Sequence, residues 1–357
     1  MTKKSKKILV DLERMRYPNS GLSNVCEALV KGFEKLGFID SLSFYGEETI
    51  ISNLKIKNKE FWKPWNRIFN PVVKKYDFVH ITHQVSSYFP NCKKPKIVTL
   101  HDLNFLHEGK SKKKIAKEIK RINKSLKNTK YLICISEFTK QDFLNNKALF
   151  RYPKDMCIEV IHNGLIFEDF ETDYSEKLTF LEDKEFLLNI GVIHPKKNQL
   201  SLLSLLVDNP DIYLVLVFSN KKADYESLII KKSKELGIYN RILFFENIEE
   251  KQKIHLLKNC KALVHPSKAE GFGIPPIEAM YFEKPVFVSN LTSLPEIAGK
   301  EAYYWKSFDS KSMSKVFKEG IKDYDNDSQK RQRLKKWALK YDYLEMARKY
   351  IELYKKI

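Results

Sequence analysis

Short apolar runs recur along this chain, separated by longer stretches whose apolar residues return every three to four positions. The runs read as buried strands and the stretches as amphipathic helices. In the first half the pattern predicts strands at Lys7–Asp11, Ser41–Tyr45, Phe78–Thr82, Ile97–Leu100, Tyr131–Ile135 and Ile158–Ile161. It restarts at Phe186–Ile190 and continues through Tyr213–Phe218, Ile242–Phe245, Ala262–His265 and Val286–Ser289. Among the intervening helices, Gly21 to Leu36 carries apolar residues at 22, 25, 29, 33 and 36, and Gly37 is its stop. Such alternation builds parallel α/β sheets. At 357 residues the chain exceeds a usual single core, so two doubly wound, Rossmann-like domains are expected. Ligands of such sheets bind at the carboxyl ends of the strands, here in a cleft between the halves.

The acidic stretch Phe167–Leu181, with Glu168, Asp169, Glu171, Asp173 and Glu176, reads as the hinge. The last segment, Lys335 to Ile357, contains Trp337, Tyr341, Tyr343, Tyr350 and Tyr354 and reads as a helix with a wide apolar stripe. The expected domains are therefore 1–167, 182–334 and a C-terminal helix over 335–357.

Composition narrows the class. A hydrophobic share of 43% supports buried cores and excludes a disordered chain. No apolar run approaches the roughly 20 residues that span a bilayer. The basic N-terminus leads into Ile8-Leu9-Val10-Asp11, a strand and not a signal peptide. Five scattered cysteines without C-x-x-C spacing read as reduced thiols, and the cytoplasm is the expected compartment. The net charge of +19 is unevenly spread: Lys110 to Lys127 holds nine Lys or Arg against Glu118 alone. Ile115, Ile119, Ile122 and Leu126 make that segment a basic amphipathic helix. Phe61 to Phe69 interleaves aromatics with cations. Both stretches, 110–127 and 61–69, suit an anionic membrane surface. No nucleic-acid module is present, so nucleic acid is not the expected partner.

The chemistry concentrates in Glu270-Gly271-Phe272-Gly273-Ile274-Pro275-Pro276-Ile277-Glu278, which follows the strand Ala262–His265. A strand, a glycine turn and a helix start form an anion cradle. Glu278 falls in the first helical turns, placed to accept hydrogen bonds from ribose-type hydroxyls, and Glu270 stands at the mouth of the turn. After Ile190-Gly191 comes Val192-Ile193-His194-Pro195-Lys196-Lys197-Asn198, whose two lysines could grip a diphosphate. Tyr17-Pro18-Asn19-Ser20-Gly21-Leu22 opens a helix, with Gly21 permitting close backbone approach. His101-Asp102 closes the strand Ile97–Leu100. Asp323-Tyr324-Asp325 mimics a metal-binding D-x-D but reads as a solvated polar loop, and no metal site is expected.

These motifs resemble glycosyltransferase family 4, the retaining enzymes of the GT-B fold. Glu270 and Glu278 match its E-x7-E signature, and Val264-His265-Pro266-Ser267, Lys284-Pro285-Val286 and Ser293-Leu294-Pro295-Glu296-Ile297 match its flanking text. Pro195-Lys196-Lys197-Asn198 resembles the donor-phosphate motif P-R-K-N, with Lys196 where that variant has arginine and Val192 where longer motifs have arginine. A lysine lacks the bidentate fork of guanidinium. The resemblance implies a GT-B pair of Rossmann-like domains facing a cleft, the C-terminal helix crossing back to the first. It further implies acceptor binding by the first half and nucleotide-sugar binding by the second.

Residue by residue, it implies donor contacts from Gly21, Lys196, Lys197, Glu270, Gly271, Phe272, Gly273, Ile274 and Glu278. His101 would touch the donor sugar or orient the acceptor, and Asp102, Ser136 and Asn163 would line the cleft. Glu270, Lys197 and His101 form the expected catalytic set, with no protein nucleophile. Glu270 would steady an oxocarbenium-like hexose. The expected activity is metal-independent, retaining transfer of a hexose to a lipid-linked or polysaccharide acceptor, as in lipopolysaccharide and O-antigen synthesis, with no cofactor beyond the donor. The motif variant resembles mannosyltransferases of surface-polysaccharide assembly, which points to GDP-mannose. The competing readings are a catalytically silent polyanion-binding protein of this fold and a sugar phosphorylase.

Overall fold

Every strand pairing in the computed structural model is parallel; the structure describes residues 6–18, 20–89, 92–168, 178, 181 and 183–357. The chain divides into two units, one of Met1–Ile166 with Tyr341–Ile357 and one of Phe167–Lys340. In the first, β1 (Ile8–Asp11), β2 (Leu42–Glu47), β3 (Lys59–Trp62), β4 (Phe78–Ile81), β5 (Lys96–Leu100), β6 (Thr129–Cys134) and β7 (Cys157–Val160) form a sheet ordered 3-2-1-4-5-6-7. In the second, β8 (Phe186–Ile190), β9 (Tyr213–Phe218), β10 (Ile242–Glu246), β11 (Ala262–His265), β12 (Val286–Ser289) and β13 (Tyr303–Trp305) are ordered 10-9-8-11-12-13. Both orders reverse beside the first strand, the arrangement of Rossmann-like units.

The apolar runs found these strands because a strand buried on both faces has no polar side to display. All four residues of β1 and of β11 are buried. The pattern missed β3, an edge strand in which only Trp62 is buried, and β13, three residues long. The hinge assigned to Phe167–Leu181 lies outside the described residues except at 167, 168, 178 and 181. Asn19 of the expected glycine loop is outside them as well.

Two expectations need correction. The final segment is two helices, Lys330–Ala338 and Tyr343–Lys356, rather than one. Asp342 interrupts it, its carboxylate accepting from the Leu344 N–H at 2.8 Å as an N-cap. There the backbones of Leu165 and Tyr343 meet at 3.1 Å, so close that a Cβ on Gly164 would lie 2.5 Å from the Tyr343 Cα. A Cβ on Gly32 would meet Ala347 at 2.6 Å, so a glycine lets the helices Gly21–Lys35 and Tyr343–Lys356 pack closely. Tyr354 and Tyr350 reach the sheet through His80 and Thr99, at 2.6 and 3.0 Å.

The basic amphipathic helix is present as Lys112–Leu126. Ile115, Ile119, Ile122 and Leu126 pack on the core of the first unit, so only its cationic face meets solvent. The second correction concerns Asp323, which sits on the helix Ser310–Asn326 and not in a loop; its carboxylate accepts from the Tyr303 hydroxyl at 2.6 Å and pairs with Lys330 at 3.3 Å.

Candidate active site

The second unit builds its site at the carboxyl ends of β8 and β11, where Asn189 donates to the Val264 carbonyl at 2.7 Å and ties the two strands together. The chain leaves β8 through Gly191, at φ +148°, and enters the 3-10 turn Pro195–Lys197. His194 caps that turn, its Nδ1 accepting from the Lys196 N–H at 3.2 Å. Asn198 ends it in the left-handed region at φ +57°, a conformation asparagine tolerates. The Lys196 carbonyl accepts from the Lys268 N–H at 2.7 Å, locking the lysine turn to the loop after β11.

Across that junction Lys197 Nζ donates to Glu270 Oε1, and His265 Nε2 lies 2.7 Å from the same oxygen. The carboxylate accepts, so the His265 proton is on Nε2 and its buried Nδ1 keeps an unpartnered lone pair. Both donors use Oε1, and the Glu270 side chain stays 14% exposed. Burial would raise the Glu270 pKa, but the Lys197 charge and the His265 hydrogen bond outweigh it and hold the carboxyl well below its ordinary range. Burial lowers the His265 pKa against the pull of Glu270, so the imidazole is a neutral donor.

The glycine turn is held from below. Ser293 Oγ lies 3.1 and 2.9 Å from the carbonyls of Glu270 and Phe272, and the Glu270 N–H donates to Thr292 Oγ1 at 3.1 Å. Thr292 has φ +54°, an outlier for a β-branched residue and a sign of strain kept at a functional turn. Gly273 has φ +106°, and a Cβ there would come 2.7 Å from Leu294 Cδ2. The helix Ile274–Tyr281 begins on it. Pro275 and Pro276 remove two of the four donors a helix start normally offers, leaving the N–H groups of Gly273 and Ile274. Glu278, on that helix, pairs with Lys253 at 2.8 Å. Burial opposes the Lys253 charge, but Glu278 and Glu250 raise its pKa above the ordinary lysine value.

Residues 170–341 match the family description Glycosyl transferases group 1. That stretch carries both lysines, both glutamates and the glycine turn between them. The chain is a glycosyltransferase. It is 26% identical over 332 residues to O-antigen chain mannosyltransferase B of Escherichia coli, covering 82% of this chain and 84% of that one. It is 29% identical over 217 residues to the serotype-specific mannosyltransferase WbdA of Escherichia coli, spanning 54% of this chain and only 26% of that larger protein. The crystal structure of Anabaena Alr3699/HepE in complex with UDP-glucose superposes with a TM-score of 0.76 over 99% of this chain and 100% of that one. At 18% identity this likeness shows the fold alone, which is GT-B.

In the first unit of the glycosyltransferase, the named candidates have local partners. His101 is buried and donates from Nε2 to the Thr82 carbonyl at 2.8 Å. Burial pulls its pKa down to about 4, so the ring is neutral with its lone pair on Nδ1. The His83 ring lies over it, centroids 5.3 Å apart. Asp102 accepts from the Asn104 N–H at 3.0 Å. Ser136 is a buried helix cap, accepting from the Thr139 N–H at 3.0 Å, and Asn163 is buried. Gly21 is the first residue of the helix that Ser20 caps.

Sequence reasoning left out His265, Thr292 and Lys253. His265 was visible as a histidine ending a wholly apolar strand five positions before Glu270. Lys253 carried no signal, because its pairing with Glu278 joins two separate helices. Also missed is a half-buried cluster after β1. Glu13 accepts from Ser86 Oγ at 2.6 Å and from the Ser87 N–H at 2.8 Å, while Arg14 donates to His83 Nδ1 at 2.8 Å.

Proposed function

We propose that this glycosyltransferase moves a hexose, with retention of anomeric configuration, from a nucleotide-diphosphate sugar to a lipid-linked or polysaccharide acceptor of a cell-surface glycan. Mannose from GDP-mannose is the first donor to test, because the relatives include O-antigen mannosyltransferases. The observation that carries this reading is the convergence of Lys197 and His265 on one oxygen of an ionised Glu270.

As the anomeric C–O bond breaks, negative charge grows on the departing diphosphate and positive charge on the hexose. Preorganised charges stabilise both where they develop. Lys197 has three N–H donors and uses one on Glu270, so the others face the diphosphate with Lys196 beside them; these lysines supply the cation chemistry without a metal ion. Glu270, held by Oε1, turns Oε2 to the hexose. Glu278 takes the ribose hydroxyls, and His101 orients sugar or acceptor. The basic face of Lys112–Leu126 and the segment 61–69 hold the enzyme on an anionic membrane surface.

The deciding experiment is thermal shift with GDP and UDP, followed by turnover of GDP-mannose and UDP-glucose. Stabilisation by GDP and release of GDP from GDP-mannose are expected. No response to either nucleotide would overturn the transferase reading. Sedimentation with anionic but not neutral vesicles, reversed by salt, tests the membrane part.

A further inference from the structure

Beyond β3 the first unit turns through the 3-10 helix Pro64–Arg67 and leaves three large apolar side chains in solvent: Trp65 at 59%, Ile68 at 84% and Phe69 at 59% exposure. Apolar side chains grouped on a surface mark an interaction site more often than scattered ones. Beside them opens a cavity of about 440 Å³, walled by Ile68, Phe69, Val73, Phe89 and Cys92 with Asn70 among them. That volume falls within the roughly 300–1,000 Å³ of small-molecule sites. Its rim is cationic, formed by Lys74, Lys93 and Lys94. Residues 61–75 and 89–96 together contain seven Lys or Arg and no Asp or Glu. Lys74 Nζ lies 5.3 Å from the Phe69 ring centroid, and Lys94 Nζ donates to the Lys74 carbonyl at 3.3 Å, so the charges sit directly at the apolar wall.

We propose that this cavity binds one hydrocarbon chain of a lipid phosphate, with the phosphate among Lys74, Lys93 and Lys94. A sugar would need hydrogen-bonding groups: Ile68, Phe69, Val73 and Phe89 offer none, and the Asn70 amide already donates to the Tyr45 hydroxyl and the Tyr88 carbonyl, both at 3.0 Å. A free phosphate would satisfy the lysines and leave the exposed aromatic and aliphatic groups uncovered. A flat bilayer contact would need no cavity. An anionic amphiphile taken up as a single molecule satisfies walls and rim together. The inference deepens the functional reading above by naming the carrier end of a lipid-linked acceptor as the ligand, and it rests on that reading for its purpose but not for the binding itself.

The test is isothermal titration of the full chain with farnesyl phosphate below its micelle-forming concentration. Saturable one-site binding is expected, weakened at least about tenfold in Ile68→Asp/Phe69→Asp and in Lys93→Glu/Lys94→Glu, with thermal unfolding unchanged in both. Farnesol should bind at least about tenfold more weakly, and inorganic phosphate should not displace the lipid. Equal binding by wild type and Ile68→Asp/Phe69→Asp would overturn the proposal, as would binding to anionic vesicles but not to monomeric farnesyl phosphate. A chain that binds farnesyl phosphate yet turns over no nucleotide sugar sinks the transferase reading and leaves this one standing.

Discussion

Asp11 ends a core strand of the first Rossmann-like unit and Glu270 follows a core strand of the second, yet the Glu270 carboxyl is held ionised and the Asp11 carboxyl protonated. Around Glu270 a lysine and a histidine N–H outweigh burial. Around Asp11 burial dominates, Glu13 adds repulsion, and the carboxyl is pushed up to about 8. The contrast extends to the neighbours. Around its site the second unit has the lysine–glutamate pairs Lys197–Glu270 and Lys253–Glu278. The first buries neutral imidazoles: His80 is lowered to about 3 and His101 to about 4, in both cases mainly by desolvation, and His83 lies well below its ordinary value. Fixed charges can do electrostatic work at neutral pH without reorganising. Neutral buried groups shape a surface and resist being charged.

The strongest way to break this comparison is to remove a charge from the second unit. Lys197→Ala and Glu270→Gln should each lower turnover by roughly 10²–10³-fold, the scale for loss of one preorganised electrostatic contact, while circular dichroism stays unchanged. Near-normal rates in either variant would show that the pair is only structural.

Acid should instead find the first unit. A histidine whose folded pKa is depressed binds a proton in the unfolded state first, so its contribution is complete above roughly pH 6.5 and declines toward the folded value. His80, His83 and His101 act in this sense, and Asp11, protonated when folded, acts in the opposite one between roughly pH 4 and 8. Asp342, raised by burial, acts with Asp11, but the three histidines outweigh them, so the first unit should lose stability as the pH falls from roughly 6 to 5. Glu270 keeps its charge there, its contribution being lost only below the unfolded carboxylate value near ~4.3. Calorimetry across this range should show the two units separating; parallel shifts would erase the contrast.

Gly273→Ala probes the turn. With φ at +106° and Leu294 in the way, it should cost about 1–3 kcal/mol and lower the unfolding temperature of the second unit. His265→Phe keeps the bulk and removes the N–H. The kcat should fall about tenfold, near the lower bound for a hydrogen bond to a charged group, with KM little changed. A change confined to KM would mean that His265 binds substrate rather than positioning Glu270.

Legibility followed the same division. Lys196, Lys197, Glu270 and Glu278 could be picked out because each lies in a short local motif that follows a strand, although the motif does not say which partner each side chain meets. Strands β8, β9, β11 and β12 fell on their apolar runs residue for residue. The cluster of Glu13, Arg14, His83 and Ser86 could not be read, because its members come from two loops and show no local spacing. The apolar stripe of Lys112–Leu126 shows the same limit: a periodic stripe says that a face is covered, not by what, and here the core of the first unit covers it.

The order of apolar runs, the glycine turn and the positions of lysines and carboxylates were therefore determined by the sequence alone, since strands, tight turns and helix starts depend on neighbours a few residues away. Tertiary structure decided which charge meets which: that Lys197 and His265 share one oxygen of Glu270, that Glu278 takes Lys253, and that Asp11 is left without a cation strong enough to ionise it. Those outcomes depend on distances across strands and loops and on the loss of water around each group, and neither quantity is written in the local pattern.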